Sequence, residues 1–137
     1  GLDNVTFLTA RPKAEMPEYY AAADVCLVPL LKREVFRTNI PSKMFEIMAC
    51  ARPIALGAEG QALQLLQESG GGVAVPPENS EALAKAVADM AEDTATARRY
   101  GEAGRKFAEA HFSRANHARK YLQVLEELCA FEEEKAP

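Results

Sequence analysis

Residues 40–57 have the sequence IPSKMFEIMACARPIALG, and this stretch decides the fold class. Pro41 suits the first position of a helix, because it has no N–H group to leave unbonded and its φ is already near the helical value. We therefore expect a short helix that begins near Ser42 and ends before Pro53, since a proline disfavours helical conformation in the residue ahead of it. The apolar residues 53–56 that follow predict a buried strand. A short helix that leads into a buried strand is typical of a parallel α/β sheet.

The loop ahead of this helix is basic. Residues 30–43 contain four basic side chains and only one acidic side chain, that of Glu34. In parallel α/β proteins, ligands bind near the carboxyl ends of strands and at helix N-termini, where free N–H groups favour anions. A local excess of positive charge in a chain with a net charge of -4 suggests an anionic ligand. The alternative is a solvated surface loop that happens to be basic.

The rest of the chain continues the alternation of strands and helices. The continuous apolar run of residues 25–29 is typical of a strand that is buried on both faces. The whole pattern predicts a doubly wound α/β fold, with a Rossmann-like parallel sheet, flanking helices and a helical C-terminus. Asn79 or Ser80 is expected to cap one of the later helices. Further predicted strands cover residues 5–8 and 73–75, and further predicted helices cover residues 16–24, 60–68, 81–92, 95–111 and 114–133.

Length and composition are those of one folded unit, with 137 residues of which 48% are hydrophobic. We expect an α/β part at about residues 4–92 and C-terminal helices at about residues 94–133. No run of about 18 apolar residues is present, and the N-terminus lacks the layout of a signal peptide. The net charge of -4 argues against nucleic-acid binding. We therefore expect a cytoplasmic protein, and the predicted strand so close to residue 1 suggests a piece of a longer domain.

The cysteines and histidines do not predict a metal site. Cys26, Cys50 and Cys129 are far apart and form neither a CxxC motif nor a Cys/His ligand spacing. We expect them to be small buried thiols in a reducing compartment. His111 and His117 fall in the predicted C-terminal helices, where we expect surface or packing roles.

Several motifs occur in a characteristic order along about residues 4–129, and with them the chain resembles a known family. It resembles the second half of the C-terminal, donor-binding domain of a family 4 retaining glycosyltransferase with the GT-B fold. The resemblance implies one partial nucleotide-sugar-binding domain that lacks its first strands. The motifs are NVTFL (4–8), YAAADVCLVP (20–29), SKMFEIMACARPI (42–54), GGGVAVPP (70–77), EALA (81–84) and RRYGEAGR (98–105).

The resemblance assigns a nucleotide-binding role to the beginning of the short helix. Glu46 matches the family's glutamate that accepts hydrogen bonds from the ribose hydroxyls, and Ser42 and Lys43 lie beside it. A carboxylate can accept from two vicinal hydroxyls at once. The alternative role of Glu46 is that of a helix-dipole partner in the first turn. The family's other glutamate, near the donor sugar, would fall at Thr38, and this departure resembles the bacterial surface-polysaccharide branch.

The loop before the helix is implied to hold the donor's sugar and phosphate. The main chain of Asn39, Ile40 and Ser42 would surround these groups, with Arg37 and Lys43 as phosphate neighbours or, alternatively, as solvated charges. We expect Thr38 to belong to the same sugar and phosphate set. The family's cationic catalytic groups would precede residue 1, so no certain catalytic residue and no metal is expected in this chain.

The function implied is donor binding in an enzyme that moves a hexose from a nucleoside diphosphate sugar, of UDP or GDP type, to a glycan or lipid-linked acceptor with retention. Its implied partners are the nucleotide sugar, the acceptor and an N-terminal acceptor domain of the same chain. The fragment alone would be inactive, and the parent enzyme would be cytoplasmic and peripheral at the inner face of the membrane.

Two other interpretations remain open. One is a GT-B sugar-nucleotide epimerase, and the other is a non-enzymatic α/β interaction module. In GT-B enzymes the last helix crosses back to the N-terminal domain, and without that domain the apolar side of this helix, with Tyr121, Leu125 and Phe131, could be exposed or drive self-association.

Overall fold

The computed structural model describes residues 2–133, with the side chains of residues 2–129, and contains a three-stranded parallel sheet flanked by helices. Strands β1 (Cys26–Pro29), β2 (Ile54–Gly57) and β3 (Gly72–Val75) lie in the order β1-β2-β3, and both pairings are parallel. This architecture confirms the predicted fold class. The helices are α1 (Met16–Ala22), α2 (Glu34–Arg37), α3 (Lys43–Ala49), α4 (Gln61–Ser69), α5 (Ser80–Glu92), α6 (Thr94–Phe112) and α7 (Arg114–Glu133), with a 3-10 turn at Lys13–Glu15 before α1.

Local capping explains where several helices begin and end. The side chain of Asn79 accepts a hydrogen bond from the N–H of Ala82 at 2.9 Å, which confirms Asn79 as the predicted cap of α5. Asp93 caps α6 in the same way, by accepting from the N–H of Thr96 at 2.9 Å. Because these capping hydrogen bonds join residues only three positions apart, the beginnings of such helices can be predicted from the sequence.

The main core lies between the sheet and helices α3 and α4. Met44, Ile47 and Met48 of α3 pack with Ile54 and the other buried residues of this cluster. Helix α6 packs against α3, and its Gly101 lies so close to Ala51, just beyond the end of α3, that no side chain would fit at that position. A Cβ atom at Gly101 would lie 2.1 Å from the carbonyl oxygen of Ala51. Helix α3 is therefore held rigidly from both sides.

The predicted strand at residues 5–8 is wrong. The structure forms no strand there, and Val5, Phe7 and Leu8 are exposed. The one backbone hydrogen bond recorded for this segment, from the N–H of Val5 to the carbonyl of Leu2 at 3.4 Å, closes the preceding turn. A β-prone run forms a strand only when a neighbouring strand accepts and donates its hydrogen bonds, and no described strand lies beside this one.

The prediction that β1 is buried on both faces is wrong for one face. Cys26 and Val28 are buried in the main core, whereas Leu27 between them is 48% exposed. Leu27 pairs with Ala55, whose face of the sheet is covered by α5. Helix α5 packs over β2 and β3 and leaves the same face of the edge strand β1 open. The apolar sequence of β1 indicates burial, but the helix that would cover this face is not among the described elements.

Helix α7 has the predicted bounds and an exposed apolar side. Tyr121 is 68% exposed and Leu125 is 42% exposed, in agreement with the prediction, while the side chain of Phe131 lies outside the described part. Cys129 on the same helix is exposed, so the prediction of a buried thiol is wrong for this cysteine because α7 makes few contacts with the core. Within residues 2–133, none of the helices has the length and hydropathy of a membrane span.

Candidate functional site

The carboxyl ends of the three strands lie at one edge of the sheet, and the basic loop begins there. Because the strands are parallel and in register, Pro29, Gly57 and Val75 lie side by side. The N–H of Leu30 donates to the carbonyl of Gly57 at 2.8 Å, so the loop stays attached to the sheet for one residue beyond β1. This is the edge where ligands of parallel α/β proteins bind.

The predicted sugar and phosphate residues lie at the end of helix α2 and directly after it. Arg37, Thr38 and Asn39 have exposed side chains, and Ile40 is half-buried against the main core. The side-chain contacts recorded for them stay within the loop, with Arg37 Nη1 3.5 Å from Glu34 Oε2 and Thr38 Oγ1 donating to the Val35 carbonyl at 3.4 Å. The side chains of Arg37, Thr38 and Asn39 are therefore only loosely held, whereas Ile40 packs against the core.

The backbone of the same loop passes close to Gly60, which lies just before α4. Gly60 has φ 71° and ψ -139°, and a Cβ atom there would lie 2.0 Å from the carbonyl oxygen of Arg37. Only glycine suits this combination of positive φ and close approach. An ion pair between Lys32 Nζ and Glu59 Oε1 at 3.7 Å joins the same two loops. The sequence analysis did not find this contact, because a glycine before a helix has many other uses.

Glu46 lies in the first turn of α3 and is held by residues of a distant segment. Its Oε2 accepts a hydrogen bond from the hydroxyl of Tyr20 on α1 at 3.3 Å, and its Oε1 lies 3.7 Å from Lys13 Nζ. The Glu46 side chain remains 36% exposed. Neither Tyr20 nor Lys13 was predicted from the sequence, since nothing in their spacing links them to Glu46.

The environment of Tyr20 keeps its hydroxyl protonated. Burial raises the pKa of Tyr20, and the negative charge of Glu46 and the hydrogen bond to it raise the pKa further. The ring of Tyr20 packs against the main core, so the hydroxyl is presented from a fixed position. Tyr20 is therefore a stable hydrogen-bond donor to Glu46.

Ser42 and Lys43 complete the predicted nucleotide set. Both are exposed, and the side chain of Ser42, which precedes the first helical residue Lys43, makes no capping hydrogen bond. Pro41 lies before the helix, so its predicted place at the first helical position is wrong. The Pro41 carbonyl instead accepts from the N–H of Met44 at 3.0 Å, within the turn that leads into α3.

A cavity of about 1020 Å³ lies away from all of these residues. It opens between the start of β1 and helices α5 and α6, near Val25, Pro53 and Met90. Arg52 lines it, and the Arg52 Nε has no hydrogen-bond partner although it is buried. The cavity shares no residue with the predicted site. Among residues whose side chains are described, no three His, Cys, Asp or Glu side chains are grouped to hold a metal ion.

Comparison with known proteins decides the family. A family model described as Glycosyl transferases group 1 matches residues 1–93, which is more than half of the chain. The chain belongs to this family. The matched glycosyltransferase region contains Glu46 and every other predicted site residue, together with Tyr20 and Lys13, and it ends where α6 begins.

One curated relative of this glycosyltransferase chain is a GDP-mannose-dependent alpha-(1-6)-phosphatidylinositol monomannoside mannosyltransferase from Mycolicibacterium smegmatis. The two are 29% identical over 108 residues, which cover 77% of this chain and 28% of the relative.

Two solved structures have the same fold. Sucrose-phosphate synthase from Thermosynechococcus elongatus superimposes with a TM-score of 0.80 at 31% identity, over 93% of this chain and 31% of that one. Anabaena Alr3699/HepE in complex with UDP-glucose superimposes with a TM-score of 0.77 at 22% identity, over 91% of this chain and 33% of that one. The chain thus spans a third or less of each relative, and its fold is that of part of a GT-B glycosyltransferase.

Proposed function

We propose that this chain is the donor-binding part of a retaining, family 4 glycosyltransferase that moves a hexose from a nucleoside diphosphate sugar to a glycan or lipid-linked acceptor. The observation that carries the proposal is the placement of Glu46. Its carboxylate is partly exposed, held by Tyr20 and Lys13, and lies within the region that matches the glycosyltransferase family. A UDP or GDP donor is supported by the relatives, one of which is named for GDP-mannose and another of which was solved with UDP-glucose.

Each part of the site has a separate role in this proposal. Glu46 accepts hydrogen bonds from the two ribose hydroxyls, which a carboxylate can do simultaneously. The main chain of residues 39–42 faces the sugar and the diphosphate, and Arg37 and Lys43 offset the charge of the diphosphate. Thr38 lies where a sugar-contacting glutamate is expected, and we assign it to the selection of the donor sugar in a surface-polysaccharide enzyme.

The chemical step depends on charge stabilisation. As the diphosphate leaves the anomeric carbon, negative charge develops on it, and groups already in place lower the energy of the transition state. The family resemblance assigns this task to cationic side chains rather than to a metal ion, and places those side chains and the acceptor domain in other parts of the full-length protein. Residues 1–137 alone would therefore bind donor without transferring sugar. We place the full-length enzyme in the cytoplasm, at the inner face of the membrane where a lipid-linked acceptor would lie.

The proposal is tested by calorimetric titration of the full-length protein with UDP and GDP, comparing Glu46→Gln with Glu81→Gln. Glu81 is a matched control, because it also lies in the first turn of a helix, α5, and is exposed. We expect Glu46→Gln to weaken binding of the preferred nucleotide by about tenfold or more, since hydrogen bonds to a charged acceptor are lost. Glu81→Gln removes only a helix-dipole interaction and should leave nucleotide affinity unchanged.

Other outcomes would point to the other interpretations. Equal nucleotide affinities for the two variants and the wild type would leave Glu46 with only a helix-dipole role and would contradict the proposal. Absence of binding to either nucleotide would favour an interaction module, and interconversion of a donor sugar without an acceptor would favour an epimerase.

A further inference from the structure

Tyr20 reaches the Glu46 carboxylate from the buried side. The tyrosine lies on α1, 26 residues away along the chain, and its ring packs against the main core. Its hydroxyl donates to Glu46 Oε2 at 3.3 Å. A tyrosine has an ordinary pKa of about 10 and is protonated at neutral pH, so this donor is present there, and burial and Glu46 raise the pKa of Tyr20 further.

The two oxygens of Glu46 are held unequally. Oε2 is bonded to Tyr20, whose ring is fixed by the core, whereas Oε1 faces Lys13, whose side chain is 83% exposed. An exposed lysine at 3.7 Å makes a weak and easily broken ion pair. Oε1 is therefore the oxygen that an incoming ligand can take over, while Oε2 stays bonded.

The Tyr20 bond leaves room for a ligand. An ionised carboxylate offers about four lone-pair positions, so one bond from Tyr20 does not prevent two bonds from a diol. The Tyr20–Glu46 distance of 3.3 Å is longer than the usual O–H···O distance of about 2.8 Å. The Tyr20 bond is therefore weaker than usual and does not compete strongly with a ligand for the carboxylate.

We propose that Tyr20 is a positioning residue of the donor site, which sets the orientation of the Glu46 carboxylate towards the vicinal hydroxyls of a nucleotide ribose. This inference rests on the proposed function of Glu46. Tyr20 does not contact the ligand itself. Its effect arises because a glutamate has several rotatable bonds, and a carboxylate that is already oriented loses less conformational freedom when it binds.

The test compares nucleotides with and without the ribose diol. The full-length protein is titrated with UDP and GDP and with their 2′,3′-dideoxy counterparts. For the preferred base, the affinity for the nucleotide with the ribose diol is divided by the affinity for its dideoxy counterpart. We expect Tyr20→Phe to reduce this ratio by about fivefold, since one hydrogen bond to a charged group is removed. Affinity for the dideoxy nucleotide should stay within about twofold, because the base and phosphate contacts do not involve Tyr20.

Tyr19→Phe is the matched control. Tyr19 is the neighbour of Tyr20 on α1, is also half-buried, and makes no recorded hydrogen bond with Glu46 among the described residues. The change likewise removes one phenolic oxygen from the same helix, so it reports the effect of the substitution on α1 itself. The affinity ratio of Tyr19→Phe should equal that of the wild type.

In steady-state turnover, Tyr20→Phe should raise the donor KM and leave kcat nearly unchanged.

Three results would overturn the inference. If the wild type and Glu46→Gln behave as the proposed function requires but Tyr20→Phe matches Tyr19→Phe, the inference fails and the proposed function stands. If Tyr20→Phe weakens both kinds of nucleotide equally, Tyr20 has a structural role only. If the wild type binds neither nucleotide, the proposed function fails and the role of Tyr20 fails with it.

Discussion

Glu46 and the basic loop of residues 30–43 were both predicted as parts of the donor site, but the structure holds them by different means. Glu46 lies on a helix whose Met44 is fully buried, and its carboxylate contacts two side chains from another segment. The loop has exposed polar side chains, yet its backbone at Arg37 lies against Gly60. On the proposed function, Glu46 would act through its side chain and the loop through its main chain.

The largest effect is expected for Gly60→Ala, which tests whether the site depends on the position of the loop backbone. The new methyl group would overlap the Arg37 carbonyl, and the backbone at φ 71° would be strained. We expect the free energy of unfolding to fall by roughly 3 kcal/mol, and nucleotide affinity to fall because the loop is displaced. Denaturant unfolding and calorimetry measure the two effects.

Gly70→Ala is the control for backbone strain. Gly70 also has a positive φ, of 59°, but the nearest atom to its Cβ position is the Ala103 Cβ at an ordinary 3.7 Å. We expect a loss of about 1 kcal/mol and no change in nucleotide affinity. If Gly60→Ala were no more destabilising than Gly70→Ala, the loop would not depend on the close approach to Gly60.

A smaller effect is expected for Arg37→Gln, which tests the side-chain contribution of the loop. The guanidinium is exposed and its ion pair with Glu34 is 3.5 Å long, so the free energy of unfolding should change by less than about 0.5 kcal/mol. Nucleotide affinity should fall by only about twofold to threefold, as expected for a solvated charge near an anion. The same titration on Arg98→Gln, an exposed arginine of α6 paired with Glu102, provides the baseline. Complete loss of binding in Arg37→Gln would show that the loop acts through this side chain after all.

The smallest effect is expected in the dependence of stability on pH, and it tests the environment of Tyr20, the residue that contacts Glu46. The pKa of Tyr20 is raised in the folded protein, mainly by burial and then by Glu46. Its contribution to stability is therefore fully present below the unfolded pKa of about 10 and is lost as the pH rises through the higher folded pKa. Stability measured across this alkaline range should fall less steeply in Tyr20→Phe than in Tyr19→Phe. Equal slopes would mean that folding does not raise the pKa of Tyr20.

Prediction from sequence succeeded where the cause is local. Helix α7 has the predicted bounds, and Asn79 caps α5 as expected, because helical periodicity and capping involve residues only a few positions apart. The placement of Glu46 in the first turn of α3 was predicted as well, since Pro41 indicates a helix that begins near Ser42.

Prediction failed where the cause lies in another part of the chain. Residues 5–8 have β-forming side chains but no described partner strand, and Leu27 has an apolar sequence context but no described helix above it. The partners of Glu46 were missed for the same reason. Tyr20 is 26 residues away, and no periodicity links residues at that distance.

The sequence by itself determined the order of the three strands and of the helices apart from α2, together with the basic loop and the glutamate that follows it, because these depend on residue types and on spacings within one element. Only the tertiary structure decided that Tyr20 and Lys13 meet Glu46, that Gly60 holds the loop at Arg37, and that one face of β1 stays open. The physical reason is that these contacts form when separate elements pack together, and the geometry of that packing depends on the whole core.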